Sequence, residues 1–312
     1  MFMKSRILHS FAAIALLGLA LAGCAKKDDT PPVAESRLFA TPEAAVEALV
    51  SALEKQDKAE LDRILGSDAA EVLSSGDPVA DASDRDDFLA AYKAKHALQP
   101  DGERKTLVIG EGDWPFPIPL AKQGDKWFLD TLAGAEELIY RRIGENELGA
   151  IAVSRGYVDA QKEYASVGRD GGEPGVYAMK ILSDEGRQNG LYWPTTEDEA
   201  PSPIGAFVAE AAAEGYRTDA ASAYHGYRYR LLYRQGDKAA GGAKDYFVDG
   251  RLTGGFAMIA WPADYGNSGV KSFLVNQDGT VFEKDLGEKT DDAAAAIDSF
   301  NPDEGWKAVP AE

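Results

Sequence analysis

Between Ala135 and Ser166 the sequence reads AEELIYRRIGENELGAIAVSRGYVDAQKEYAS, a stretch without proline in which Ala150, Val153, Tyr157, Ala160 and Tyr164 step by three and four residues. That spacing places the five side chains on one face of an α-helix, so the segment demands a broad apolar surface to lie against. Gly144, Gly149 and Gly156 punctuate it. Each glycine costs about 1 kcal/mol against alanine in an exposed helix interior. They are therefore expected to serve close packing, or a bend near Gly144 between two domains.

The flanking sequence supplies two different partners for this helix. On its N-terminal side, TPEAAVEALVSALEKQDKAELDRIL opens with Thr41 as N-cap and Pro42 at the first helical position, and Val46, Leu49, Val50 and Leu53 keep the amphipathic spacing. A second helix is expected over Lys58–Leu65 and a third over Arg85–Lys95, followed by short strands at Lys105–Ile109, Pro117–Lys122 and Lys126–Asp130. On its C-terminal side a short helix, Ile204–Glu214, precedes strands at Tyr227–Arg234, Asp245–Val248, Phe256–Trp261, Val270–Asn276 and Val281–Lys284. Asp278-Gly279 provides the positive φ of a tight hairpin between the last two. The fold class is α+β: a helical opening with a small antiparallel sheet, then a long helix packed on an antiparallel meander. The boundaries are 38–133 for the first module and 134–308 for the second.

The N-terminus reads differently. Lys4 and Arg6 precede an apolar run, Ile7–Leu21, that is shorter than the ~20 residues a membrane-crossing helix needs. This order is that of a secretory signal, 1–23, and the sequence then reads Leu21-Ala22-Gly23-Cys24. That ending resembles the lipobox of bacterial lipoproteins. The resemblance implies cleavage before Cys24, a lipid on its thiol and attachment to a membrane through that lipid, several acyl chains being enough for stable anchoring. Residues 24–37 then form a lipidated tether, with Pro31 and Pro32 keeping it extended. Cys24 is the one cysteine, so no disulfide is expected in the fold. Ala25 follows it where an aspartate would favour the inner membrane, so the expected location is the outer membrane, facing the periplasm.

Charge narrows the partners. With 33 basic and 52 acidic side chains the chain carries −19. Loss of Lys4 and Arg6 with the signal would leave 31 basic against 52 acidic, or −21. Such a surface repels phosphate backbones, which excludes nucleic acid as a partner. An envelope protein or a glycan is the expected partner instead.

The first module resembles the cystatin-like α+β modules related to nuclear transport factor 2, in which a helical start packs on a curved sheet. Across the whole chain the strings RRIGENELGAI, GYVDAQKEYAS, NGLYWP, SPIGAFVAEA, YHGYRYRLL, RQGDKAAGGAKDYFVDG, GGFAMIAWPADYGNSGVKSFLVNQDGTVFEKDLG and FNPDEGWK occur in one order. Together they resemble the bacterial envelope family catalogued as domain of unknown function 2950, over about Thr41 to Lys307. That family implies membership and no reaction. The second module is more distantly similar to the globular part of type IV pilins and pseudopilins, in Ala160-Gln161 and Tyr164 and in the hairpin Gly269–Val281. It lacks the apolar N-terminal helix by which pilins polymerise, which disfavours a pilus subunit.

Candidate chemistry is sparse. His96 closes a charged helix, and His225, between Tyr224 and Gly226, is the first base to suspect if the protein is a hydrolase of cell-wall or glycan material. A structural hydrogen bond is the commoner role for such a histidine. Ser268 in GNSGV lies one residue out of a nucleophile-elbow pattern and reads as a turn. Gly168–Gly175 and Gly236–Gly242 lack the context of phosphate loops. Asp81, Asp84, Asp86 and Asp87 lack the glycine and terminal glutamate of a calcium loop and read as a solvated, helix-capping face. No metal and no cofactor is expected. Tyr192, Trp193, Tyr224, Tyr227, Tyr229 and Trp261 are the aromatic set that could line a glycan or peptide groove, or simply build a β-domain core. The leading expectation is a non-catalytic envelope lipoprotein that binds or scaffolds another envelope component.

Overall fold

In the computed structural model the described residues are 36–66, 74–196, 199–214, 216 and 223–310. The signal, Cys24 and nearly all of the tether lie outside them. Local chemistry sets the first helices. Thr41 Oγ1 accepts the Ala44 amide at 3.1 Å and Pro42 starts α1, Pro42–Lys55, which stops where Gln56 turns left-handed at φ 53°. Asp57 caps α2, Lys58–Leu65, and Asp77 caps α3, Pro78–Ala94. The third helix therefore begins seven residues before the expected Arg85. None of its residues is buried, so its first half has no apolar face to betray it.

Next come β1 (His96–Asp101), β2 (Arg104–Ile109), β3 (Trp114–Pro115), β4 (Leu120–Gln123) and β5 (Lys126–Leu129). All pairings are antiparallel, in the order β1-β2-β4-β5, with β3 also on β2. His96 does not close α3; it opens β1, and its Nδ1 lies 2.9 Å from the Tyr92 carbonyl oxygen. One hydrophobic cluster joins Val46, Leu49, Ile64, Leu107, Ile109, Ile118, Leu120 and Leu129.

Asp130 then caps α4, a single uninterrupted helix from Thr131 to Ser166 of 36 residues and about 54 Å. Its start belongs to the first cluster, against which Leu138 packs. Thr131 Oγ1 also donates to the Leu65 carbonyl at 2.8 Å. Its far half belongs to a second cluster through Ala150, Ile151, Tyr157, Val158, Ala160 and Tyr164, with Val153 at its edge. The three glycines play unequal parts. A Cβ on Gly156 would meet the Phe207 ring of α5 (Gly205–Glu214) at 2.9 Å, whereas Gly144 has nothing within 4 Å.

The second cluster closes on an antiparallel sheet, β6 (Tyr227–Leu232), β11 (Ala257–Pro262), β12 (Lys271–Asn276), β13 (Phe282–Asp285) and β14 (Lys307–Ala308), in that spatial order. Two ribbons intervene between β6 and β11: β7 (Arg234–Gln235) with β8 (Lys244–Asp245), and β9 (Phe247–Val248) with β10 (Arg251–Leu252). Helix α4 lies against β11 and β12, and the short α6, Thr290–Ala296, lies against β11. Arg230 of β6 donates to the Ala294 and Ile297 carbonyls at the end of α6, where positive charge suits the helix dipole. The β12–β13 hairpin turns at Gly279, φ 83°, whose amide donates to the Asn276 carbonyl at 2.9 Å. Fully buried Gln161 acts as a piece of strand: its Nε2 donates to the Ala178 carbonyl and its Oε1 accepts the Ala178 amide, both at 2.9 Å. An amide buried there without those bonds would cost about 1–3 kcal/mol.

Mixed helix and antiparallel sheet is thus the α+β class expected. Gly134 shows how tightly α4 is seated: a Cβ there would stand 2.7 Å from both the Ile118 Cα and the Pro117 oxygen. Gly134→Ala should therefore lose about 1–3 kcal/mol, while Gly144→Ala, in open space, should gain about 0.5–1 kcal/mol. Urea denaturation of both variants checks the pair; equal effects would refute the assignment.

Candidate functional site

Midway along α4, three features that are remote in sequence come together. Arg142 donates to the Ser74 carbonyl at 3.3 Å and to Asn267 Oδ1. Asn146 Nδ2 donates to the Ser268 carbonyl at 2.9 Å, and Glu147 Oε1 accepts the Val270 and Lys271 amides at 3.0 and 2.9 Å. One turn and a half of helix thereby holds the loop that leads into β12. From the other side α3 brings its N-terminus: Asp81 accepts the Ser75 hydroxyl at 2.6 Å and amide at 2.9 Å. Asp77 caps the Val79 and Ala80 amides with one oxygen and accepts the Tyr216 hydroxyl at 2.8 Å with the other.

His225 stands at the same crossing. Tyr224 and Tyr227 exchange backbone hydrogen bonds at 2.9 and 3.1 Å, and the two residues between them, His225 and Gly226, both have positive φ, 48° and 70°. That is the pattern of a type I′ turn, whose first central position histidine tolerates better than most side chains. The His225 ring lies 4.3 Å from the Tyr224 ring and 5.4 Å from the Tyr216 ring. Gly226 lacks a Cβ because one would sit 2.5 Å from Asn146 Nδ2. Ser268 is committed to its own turn, accepting the Asp264 amide at 2.9 Å and donating to the Asp264 carbonyl at 3.1 Å. It is a turn residue, as its sequence context implied.

The aromatic set is not one groove. Tyr227 is 0% exposed and donates its hydroxyl to the Lys271 carbonyl at 2.8 Å, and Trp193 is 7% exposed. In register Trp261 faces Arg228, so it shares that residue's side of the sheet while Tyr227 and Tyr229 take the other. Trp261 Nε1 donates to Asp291 at 2.7 Å, and Arg228 donates to both oxygens of the same carboxylate. Tyr192 is half-buried in a bridge with Leu182, remote in sequence from the Tyr224 turn. Two of the six, Tyr227 and Trp193, are buried, and the other four are half-buried.

A recess of about 330 Å³ lies beside the crossing, lined by Asp264, Tyr265, Lys289, Thr290, Asp291 and Asp292 among others. Among the described residues no three His, Cys, Asp or Glu side chains are placed to hold a metal ion.

A family model described as "Protein of unknown function (DUF2950)" matches residues 36–309. The chain belongs to the DUF2950 family. No curated protein and no solved structure matches it. The DUF2950 match runs through both hydrophobic clusters and the crossing between them, so the polar contacts on α4 lie inside the family's span.

Electrostatics at the DUF2950 crossing are asymmetric. Asp84 is exposed as a residue, yet the protein packed around its carboxyl strips part of its water, and Glu145 of α4 with Asp81 and Asp87 of α3 adds like charge. Arg142 opposes them only in part, and the Asp84 carboxyl is pushed up to about 6. Desolvation lowers the Arg142 pKa, while Asp81, Asp84 and Asp264 raise it. A carboxyl raised on folding stabilises the fold most fully below its unfolded pKa of about 4, and that contribution disappears as pH rises through about 6. Asp84→Asn should melt with wild type at pH 4 and above it at pH 8. Thermal melts across that range check this, and parallel curves would disprove it.

Proposed function

We propose that this protein is a non-catalytic, lipid-anchored component of the bacterial cell envelope that binds or scaffolds another envelope component. The observation that carries the non-catalytic reading is how the crossing uses its polar groups. Ser268 bonds within its own loop, Asp81 and Asp77 fasten the start of α3, and the His225 ring packs against the Tyr224 and Tyr216 rings. These residues are spent on joining segments. Among the described residues no helix is long and apolar enough to cross a membrane. In this reading the anchor is the lipid on Cys24. We read the first module as cystatin-like, three helices on an antiparallel sheet, and the second as pilin-like, a long helix on an antiparallel sheet. The acidic surface, net −19, favours a protein or glycan partner over nucleic acid.

Anchoring and binding are tested separately. Cys24→Ser should move the protein from the membrane to the soluble fraction and abolish incorporation of a clickable fatty acid; retention in membranes with no label on wild type would end the lipoprotein reading. Crosslinking in intact envelopes with the acylated protein should recover a specific partner. Recovery of nothing above the background of an unrelated lipoprotein would count against scaffolding.

A further inference from the structure

The long helix ends in a tight loop, 167–175, that carries Arg169. Its guanidinium lies 4.8 Å over the Trp193 ring and 5.8 Å over the Tyr164 ring. Both rings are almost wholly buried, at 7% and 5%, so they serve as a floor rather than a displayed surface. The loop fixes the side chain's base. The Gly172 amide donates to the Arg169 carbonyl at 2.8 Å, and the Gly175 amide donates to the Ala165 carbonyl at 2.8 Å. A Cβ on Gly168 would stand 2.2 Å from the Gly172 oxygen, so only glycine permits this closure.

Among the described residues the guanidinium has no hydrogen-bonding partner. Arg169 Nε is sealed from solvent without a hydrogen bond, and no ion pair or hydrogen bond with a described residue engages the two terminal nitrogens. The other part-buried arginines are engaged: Arg85 by Asp86, Arg141 by Glu137, Arg142 by Asn267, Arg155 by the Pro310 carbonyl and Arg230 by the end of α6. The adjacent carboxylate is not available to it, because Asp170 is held by Arg187 through two hydrogen bonds. Asp184 is likewise taken by Lys180 and Asn189. In a chain with 52 acidic and 33 basic side chains, a part-buried arginine that leaves its fork open is the exception.

We propose that Arg169 is a binding residue for an anion, and that the group it takes is a carboxylate on a ligand from the envelope. Stacking on Trp193 and Tyr164 holds the guanidinium plane in place and leaves the two terminal nitrogens as a preformed fork, which matches the two oxygens of a carboxylate. Asp170 and Glu173 lie within the loop and Asp184 and Glu185 follow it in sequence, so a single negative charge is admitted more readily than the double charge of a phosphate. The assignment rests on the binding role proposed above and gives that role its chemistry. It is tested without crosslinking or membranes, so the two can fail independently.

The test uses the acylated full chain in detergent micelles, titrated with N-acetylglycine, its neutral amide and inorganic phosphate, and read by NMR at the Trp193 indole N–H, assigned with Trp193→Phe. N-acetylglycine should give a saturable shift, and the amide and phosphate should bind at least tenfold more weakly. Arg169→Gln should abolish the shift, and Arg169→Lys, which keeps the charge and loses the fork, should weaken binding several-fold. Equal responses to acid and amide, which need no variant, would overturn the proposal. So would tighter binding of phosphate, or unchanged binding by Arg169→Gln.

Discussion

Two hydrophobic clusters close on one helix. The start of α4 seals the first, through Leu138 and the close fit of Gly134 on residues 117–118, and its far half is the wall of the second. The first sheet buries its apolar face mainly under α1 and α2, with Leu138 of α4 added beside them, whereas the second sheet buries its face on α4 itself. The polar crossing between them follows from this arrangement. Where α4 passes from one core to the other it meets α3 on one side and the loop before β12 on the other, and Arg142, Asn146 and Glu147 bind backbone and side-chain groups there. Hydrogen bonds replace apolar contact where the two cores leave a seam, because buried backbone groups at such a seam must find partners.

Much of the fold was legible where local chemistry is decisive. Thr41-Pro42 marked the start of α1, the three-and-four spacing marked α4, and Asp278-Gly279 marked the hairpin of β12 and β13. The first half of α3 was not legible, since a helix with no buried residue carries no periodic signal. Nor was β1, five of whose six residues are exposed and which includes Pro100. His96 accordingly fell on the wrong side of a boundary. Gly144, Gly149 and Gly156 were read as a group, and the structure separates them: Gly156 admits the Phe207 ring, while Gly144 faces open space and the helix passes through it unbroken.

The candidate site was legible only in fragments. His225, Ser268 and the aspartates of α3 each stood out by residue type, but their common neighbours, Arg142 and Asn146, look in sequence like ordinary helix-surface residues. Their partners lie 125 and 122 residues away, and no short-range pattern encodes such a meeting. Arg169 is harder still. What distinguishes it is the lack of a partner among the described residues, and a chain rich in acids gives no sign in advance of which arginine will be left open. The aromatic set fails for the opposite reason: tyrosine and tryptophan are conspicuous by type whether they are displayed or, like Tyr227, fully buried.

The continuity of α4 fixes a phase between the two halves of the molecule. Each residue advances the helix by about 1.5 Å and turns it by about 100°. A single insertion or deletion between Leu138 and Ala150 would rotate every downstream side chain away from its seat, even though Gly144 itself meets nothing. The middle of the helix is thus fixed in count as well as in the three residues, Arg142, Asn146 and Glu147, that bind the crossing. Between them, Gly144 acts as a spacer.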